Sequence, residues 1–460
     1  MYPLKKTSLF IKSRNLVKRN FEAKTRTVLK NVTYSVIIKI GTIAISFLSV
    51  PLLLNYLDGS IYGVWITILT FTSWFTLFDL GLGNGLKNRL IQFAATKETD
   101  LAKSHVSTTY ITMALICSSV CIFCLLVNPI VPWQLIFNIP KQLVTSVATA
   151  TFIMLVFTMA SLFLKLINNL LHANQQSYKV DIITFISQLV GFLAIYGARL
   201  FLKPSIVTVA IMFTLSQLLV LLIVNIYLFL RSFKSLMPSV KNFDRKLTRE
   251  VVGVGGMYFL IQIAGLVMYM TDNFIISALL GPQQVTIYNL ALKYFSVLTM
   301  GWGLLLTPLW PMITKAYYSA DLAWIDKTHK KMIGLWGLTI VVGLIIFWCS
   351  NLFYRLWIGT TVIVPQSVSL TMLIYSYVSI FATIMATFIN GIGKIKLQAY
   401  ITVVLALFNI PLAIFFSRTL NWGLIGVPIS TTFCLVISSV LAFIQCRKII
   451  NNASTGLWHK

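Results

Sequence analysis

Five ionisable side chains stand inside long apolar runs of this 460-residue chain: Lys39, Asp79, Lys165, Asp272 and Lys293. A charge facing lipid near the bilayer centre costs about 2.5–3.5 kcal/mol even on the lenient insertion scale. Such residues are therefore expected to face a protein interior, a wet cavity, or one another. A lysine there can hold a phosphate as a point charge, and a carboxylate can pair with it or titrate. Depth suggests how they pair. A turn near residue 59 lies about twenty residues from both Lys39 and Asp79, which sets them at similar depth at 1.5 Å per residue. A second turn near residue 283 lies about ten residues from both Asp272 and Lys293, in the opposite half. Each hairpin thus sets one acid level with one base. We read Lys39, Lys165 and Lys293 as substrate-binding candidates, with Lys293 foremost, and Asp79 and Asp272 as ion-pair or coupling candidates. For Lys39 and Lys165 the competing reading is a side chain that snorkels to the interface; for Asp79 it is a structural hydrogen-bond acceptor.

Other chemistry lacks its residues. His105, His172, His329 and His459 fall in or near polar loops without a second ligand at metal spacing. Cys117, Cys121 and Cys124 share one helix face and read as small packing residues. Gly81, Gly83 and Gly85 lack the strand–turn–helix setting of a phosphate-binding loop and read as sites of close helix packing. No catalytic acid/base constellation, metal site or cofactor site is expected, so the chain is read as a non-enzyme.

The elements that would position these residues are membrane helices. The chain is 58% hydrophobic and only 10% charged, against about 25% charged in a soluble domain. Apolar runs near twenty residues, long enough to cross the hydrocarbon, recur along it. Turn and charge signals place twelve spans, near 33–57, 61–86, 107–128, 147–171, 181–201 and 206–230, then 250–280, 286–313, 332–350, 366–390, 397–417 and 423–446. Pro308 and Pro311 are expected to end the eighth. Pro51 and the glycines Gly253, Gly255, Gly256 and Gly265 mark spans 1 and 7 as candidate hinges.

The net charge of +26 does not indicate nucleic acid, because its basic residues sit in short loops rather than on one folded face. Twenty-nine of the 37 Lys and Arg fall on one side of the twelve spans and five on the other. The positive-inside rule then puts both termini in the cytoplasm. The organisation read from this is a basic tail (1–32), a first lobe of six spans (33–230), a basic linker (231–249), a second lobe of six spans (250–446) and a short tail (447–460). The first tail reads either as an amphipathic segment on an anionic lipid surface or as a disordered topology signal. Leu57-Asp58-Gly59 before Ile61-Tyr62 is echoed by Leu280-Gly281-Pro282 before Ile287-Tyr288. With equal span counts, the echo points to parallel repeats. The fold class is thus an all-α polytopic membrane protein, two six-helix lobes around a central cavity.

Several stretches carry a family resemblance. They are Pro51-Leu52-Leu53-Leu54-Asn55-Tyr56-Leu57, Tyr62-Gly63-Val64-Trp65, Asp79-Leu80-Gly81-Leu82-Gly83-Asn84-Gly85, Thr271-Asp272-Asn273-Phe274-Ile275-Ile276 and Asn390-Gly391-Ile392-Gly393-Lys394. In this order the chain resembles the Wzx-type flippases of the multidrug/oligosaccharidyl-lipid/polysaccharide exporter superfamily. The resemblance implies alternating access in the inner membrane. The cargo would be an oligosaccharide repeat unit on polyprenyl (undecaprenyl) pyrophosphate, bound for an O-antigen or capsule-type polymer. It also implies membrane lipids, a polysaccharide polymerase and a chain-length regulator as partners, and cavity-facing basic residues on spans 1 and 8, where Lys39 and Lys293 lie. Two other readings stay open: a cation-coupled drug or metabolite exporter of the same superfamily, and a membrane-embedded polysaccharide polymerase.

Overall fold

The computed structural model describes residues 34–459 apart from 80, 97, 246, 248–262, 264 and 269. The basic tail at 1–32 and the glycines Gly253, Gly255 and Gly256 lie outside the described residues. Among those described, eleven stretches are long and apolar enough to cross a membrane. About half of the span expected at 250–280 lies outside them.

Long apolar runs become helices because only a helix satisfies every backbone amide within one lipid-facing segment. The first lobe holds α1 (Tyr34–Leu57), α2 (Gly59–Trp74), α3 (Leu82–Thr96) and α4 (Thr99–Val127). It continues with a short α5 (Trp133–Phe137), then α6 (Val144–Leu164), α7 (Leu166–Ala173), α8 (Ser177–Phe201) and α9 (Ile206–Leu230). The second lobe holds α10 (Asp272–Leu280), the described end of span 7, and two helices of 37 residues, α11 (Pro282–Tyr318) and α12 (Leu322–Ile358). It closes with α13 (Gln366–Ile392), α14 (Lys396–Ile414) and α15 (Gly426–Ile450). Within the first lobe α9 packs on both α6 and α8. In the second, α13 packs between α11 and α15, with α14 against α15, and α2 meets α11 across the lobes.

Local chemistry sets the turns. The Asp58 carboxylate accepts from the Ser60 and Ile61 amides at 2.8 and 3.0 Å and starts α2, as an N-cap should. Gly281 stands at φ 90° just before Pro282 opens α11. The positive φ suits glycine, and the proline fills a position whose amide would lack a partner.

Two helices of the first lobe break where the sequence reading ran straight through. Span 2 leaves α-helical geometry after Trp74, passes through a tighter turn at Phe75–Asp79, and restarts as α3. Gly81 turns the chain at φ 77°, while Gly83 is a close packing site, since a Cβ there would stand 2.4 Å from the Asn169 amide nitrogen. The α6 helix stops at Lys165 and restarts as α7; the Asn225 amide repairs the break by donating to the Leu164 carbonyl at 3.0 Å. In contrast, Pro308 and Pro311 do not end span 8, because α11 runs through both. Membrane helices tolerate such prolines where neighbours bond the freed backbone. Three residues beyond Pro311, α11 is anchored to its neighbour, where the Thr314 hydroxyl donates to the Gly391 carbonyl on α13 at 2.9 Å.

The buried apolar residues are divided unevenly. One cluster is continuous between the lobes, joining Leu54, Trp65 and Ile68 to Ile276, Val285 and Phe295. A separate cluster, around Leu86, Val106 and Leu170, belongs to the first lobe alone and lies in its half nearer the basic loops. The lobes are therefore fused in the half containing the Asp58 and Gly281 turns.

Candidate functional site

The lobe seam is built from α2 and α5 on one side and α10 and α11 on the other. At its outer end the Thr286 hydroxyl donates to the Gly59 carbonyl at 2.5 Å. Deeper, Ser277 donates to the Phe137 carbonyl at 2.9 Å and the Asn273 amide to Thr70 Oγ1 at 2.8 Å. Phe274 from α10 inserts among Phe71, Trp74 and Phe137, with ring centroids 5.0–6.4 Å apart. Gly63 allows this approach: a Cβ there would lie 1.9 Å from the Pro282 carbonyl oxygen.

Beside the seam lies a cavity of ≈ 280 Å³ between the lobes. Four helices of the first lobe and α11 of the second line it. The aromatic walls are Tyr62, Trp65, Phe192 and Phe213. Its polar groups are Ser46, Ser49, Gln188, Asn289 and Lys293. The Lys293 ammonium donates to the Ser46 hydroxyl on α1 and stands 5.5 Å from the centre of the Phe47 ring. Phe47 is itself held by Trp357 of α12, whose indole N–H donates to the Phe47 carbonyl at 2.9 Å. Among the described residues no carboxylate pairs with Lys293. The Gln188 Oε1 atom is buried and accepts no hydrogen bond among them. A buried acceptor left unmet costs roughly 1–3 kcal/mol, so this oxygen favours a ligand with hydroxyl or amide donors. Asn289 donates to Asn273 at 2.7 Å and thereby links the cavity wall to the seam.

The five residues singled out in the sequence do not form two ion pairs. Asp272 and Lys293 are bonded to different partners. Asp272 is 2% exposed and accepts from the Tyr288 hydroxyl at 2.8 Å and the Thr431 hydroxyl at 3.2 Å. Thr431 in turn accepts from the Asn409 amide at 3.1 Å. This knot ties α10, α11, α14 and α15 together inside the second lobe. The Asp79 carboxylate accepts from the Gly83 amide at 3.2 Å, bridging the break before α3, and does not pair with Lys39. Lys39 is exposed and lies seven residues before Ser46, which places it on the cavity face of α1, about 10 Å nearer the basic loops. Lys165 is exposed at the junction of α6 and α7. The free cysteines of α4 include two that are buried, and no metal-ligating cluster occurs among the described residues.

Gln188 and the aromatic walls were not singled out from sequence. An amide in an apolar run carries no periodic signal, and its meaning here arises from neighbours on other helices.

Comparison with known proteins gives a consistent result. The sequence profile described as "Polysaccharide biosynthesis protein" matches residues 28–317, and the profile MatE matches residues 258–415. A candidate O-antigen export protein of Yersinia pseudotuberculosis is 25% identical over 425 residues, 88% of this chain and 90% of the relative. A candidate O-antigen transporter of Salmonella typhi is 20% identical over 274 residues, 60% of this chain and 62% of the relative. Among solved structures, the inward-facing conformation of a multidrug resistance MATE family transporter of the MOP superfamily superposes with TM-score 0.71 at 12% identity, covering 91% of this chain and 95% of the other.

Proposed function

The chain belongs to the polysaccharide biosynthesis protein family, and from that premise we propose that it flips an oligosaccharide linked to polyprenyl pyrophosphate from the inner to the outer leaflet of the cytoplasmic membrane, by alternating access. That it is a multi-pass membrane transporter of the MOP fold stands on the comparisons and on the eleven candidate spans. The cargo and the direction are our reading. The observation that carries it is Lys293, held by Ser46 in the cavity between the lobes with no carboxylate partner among the described residues.

A headgroup of this class presents two chemistries: a pyrophosphate that needs a cation, and sugar rings that need aromatic faces and hydrogen-bond acceptors. Lys293 supplies the first. Phe192 and Phe213, the partly buried aromatic walls, offer faces, and Gln188 Oε1 and Asn289 offer polar contacts, for the second. Lys39, on the same face of α1 but nearer the basic loops, would meet the pyrophosphate first as it enters. In this reading both termini are cytoplasmic, and the seam at the Asp58 and Gly281 turns closes the outer side. The structure then corresponds to the state that loads cargo. The prenyl tail stays in lipid while the headgroup crosses.

The test is a lipid extract from cells depleted of this protein, scored for polyprenyl-linked oligosaccharide beside surface polysaccharide. Completed repeat units accumulating on the cytoplasmic leaflet, with loss of surface polymer, are the expected result, reversed by the wild-type gene and not by Lys293→Ala. Normal amounts of both, in cells without a second flippase, would overturn the reading and point to cation-coupled export of small molecules.

A further inference from the structure

A second cavity lies wholly on the first lobe, where α4, α6 and α9 meet the linker that leads to the second lobe. It measures ≈ 440 Å³, within the roughly 300–1,000 Å³ of ordinary small-molecule sites. Its walls are apolar, chiefly Ala114, Phe163, Ile226, Phe229 and Leu230. The polar groups at its base are already engaged with one another or with backbone. The Asn225 amide donates to the Leu164 and Leu221 carbonyls at 3.0 and 2.8 Å, and the Tyr110 hydroxyl reaches Asn225 Oδ1 at 3.5 Å. The space therefore suits a hydrocarbon chain better than a polar ligand.

The roof is the linker itself. Met237 to Val240 line the cavity, and the strand of linker around them is pinned to α4 by two bonds. The Ser239 amide donates to Ser107 Oγ at 3.1 Å and the Asp244 amide to Thr108 Oγ1 at 3.0 Å. Cations flank the lining residues in the chain: Arg231 follows Leu230, Lys234 precedes Met237, and Lys241 follows Val240. All three are exposed, and no acid occurs between positions 231 and 243. An apolar cavity whose lining segments are flanked in the chain by exposed cations, at the level where helices leave the membrane, suits one occupant: an apolar chain with an anionic head.

We infer that this cavity holds an acyl chain of an anionic glycerophospholipid, whose phosphate sits against Arg231, Lys234 and Lys241, and that the bound lipid clasps the inter-lobe linker onto the first lobe. A phospholipid, rather than the prenyl tail of the cargo, fits the position. The cargo's headgroup must reach Lys293 between the lobes, and neither α1 nor α11 contributes to this cavity. Basic residues beside a membrane surface draw anionic lipid. Because the linker is the covalent tie between lobes, a lipid that holds it in place couples membrane composition to the lobes' freedom to rock.

The experiment uses the full-length protein in nanodiscs containing either phosphatidylglycerol or phosphatidylcholine with the same acyl chains. Retained lipid is counted by native mass spectrometry, and hydrogen exchange is followed across residues 236–245. The wild type is expected to retain phosphatidylglycerol at least tenfold over phosphatidylcholine, with slower linker exchange in its presence. The exposed double change Lys234→Glu with Lys241→Glu should abolish that preference while leaving helicity unchanged. Ala114→Trp, which fills the cavity, should abolish retention of both lipids and speed linker exchange. The inference is overturned if the two lipids are retained equally by the wild type, if neither variant alters retention, or if polyprenyl pyrophosphate displaces the phospholipid one for one.

Discussion

Replacing Gly63 by valine should push the lobes apart at their sealed end. A Cβ at this position would meet the Pro282 carbonyl oxygen at 1.9 Å, its carbon at 2.7 Å and Thr286 Oγ1 at 3.0 Å. Two of these atoms are backbone at the first turn of α11, so no side-chain rotation relieves the clash. Ordinary contact begins near 3.4 Å, so α11 must retreat by about 1.5 Å, and the two γ-methyls of valine demand more. Overpacking of this kind costs roughly 1–3 kcal/mol, here charged only to the state in which α2 touches α11. A bias of that size shifts a two-state equilibrium by roughly 5–150-fold. Thr286 would also lose its bond to the Gly59 carbonyl. The assay is the distance between spin labels at Lys141 and Thr360, exposed positions at the same end on opposite lobes, in a background free of native cysteines. The wild type should give the shorter distance as its main population, and Gly63→Val a longer one. An unchanged distribution in a folded, helical variant would refute the reasoning that this seam is a gate.

Three further outcomes follow from the same geometry. If Lys293 holds the pyrophosphate as proposed, Lys293→Met removes a charge-assisted contact worth about 1.5–3 kcal/mol, so flipping in reconstituted vesicles should fall by roughly 10–150-fold, whereas Lys293→Arg keeps the charge and should retain a measurable fraction of it. Gln188→Leu preserves volume but removes the unmet acceptor, which should raise thermal stability without cargo and weaken transport of the sugar-bearing cargo more than of a bare polyprenyl pyrophosphate; equal losses for both would deny Gln188 a role in reading sugar. Tyr288→Phe leaves the buried Asp272 one donor short, which costs about 1–3 kcal/mol, so detergent-solubilised protein should melt earlier; an unchanged melting temperature would deny this knot a structural role.

Much of the fold was legible because lipid imposes a strict rule on backbone. Span count, lobe division and the basic side follow from apolar length and from where Lys and Arg fall. The breaks were harder to read. Asp79 and Lys165 each lie in a long apolar run, yet the chain departs from a single helix there: Gly81 takes a positive φ after the first, and at the second the carbonyl left free at Leu164 is met by the Asn225 amide from another helix. Pro308 and Pro311 illustrate the converse: strong local breakers through which α11 nevertheless continues, packed against α13.

The candidate site divides along the same line. Sequence by itself determined that five charges lie within long apolar runs, and counting residues from the nearest turn gave each an expected depth. Depth is set by the rise along one helix and so belongs to the chain. Facing is set by how each helix is rotated by its packing, and that was decided only in three dimensions. Tyr288 and Thr431 claim Asp272 inside the second lobe, while Ser46, 247 residues away in sequence, claims Lys293 across the cavity. A hydrogen bond has a range of about 3 Å, far shorter than the difference between the two faces of a helix some 10 Å wide. Which acid or base meets which partner is therefore a property of the docked lobes and not of the run that contains it.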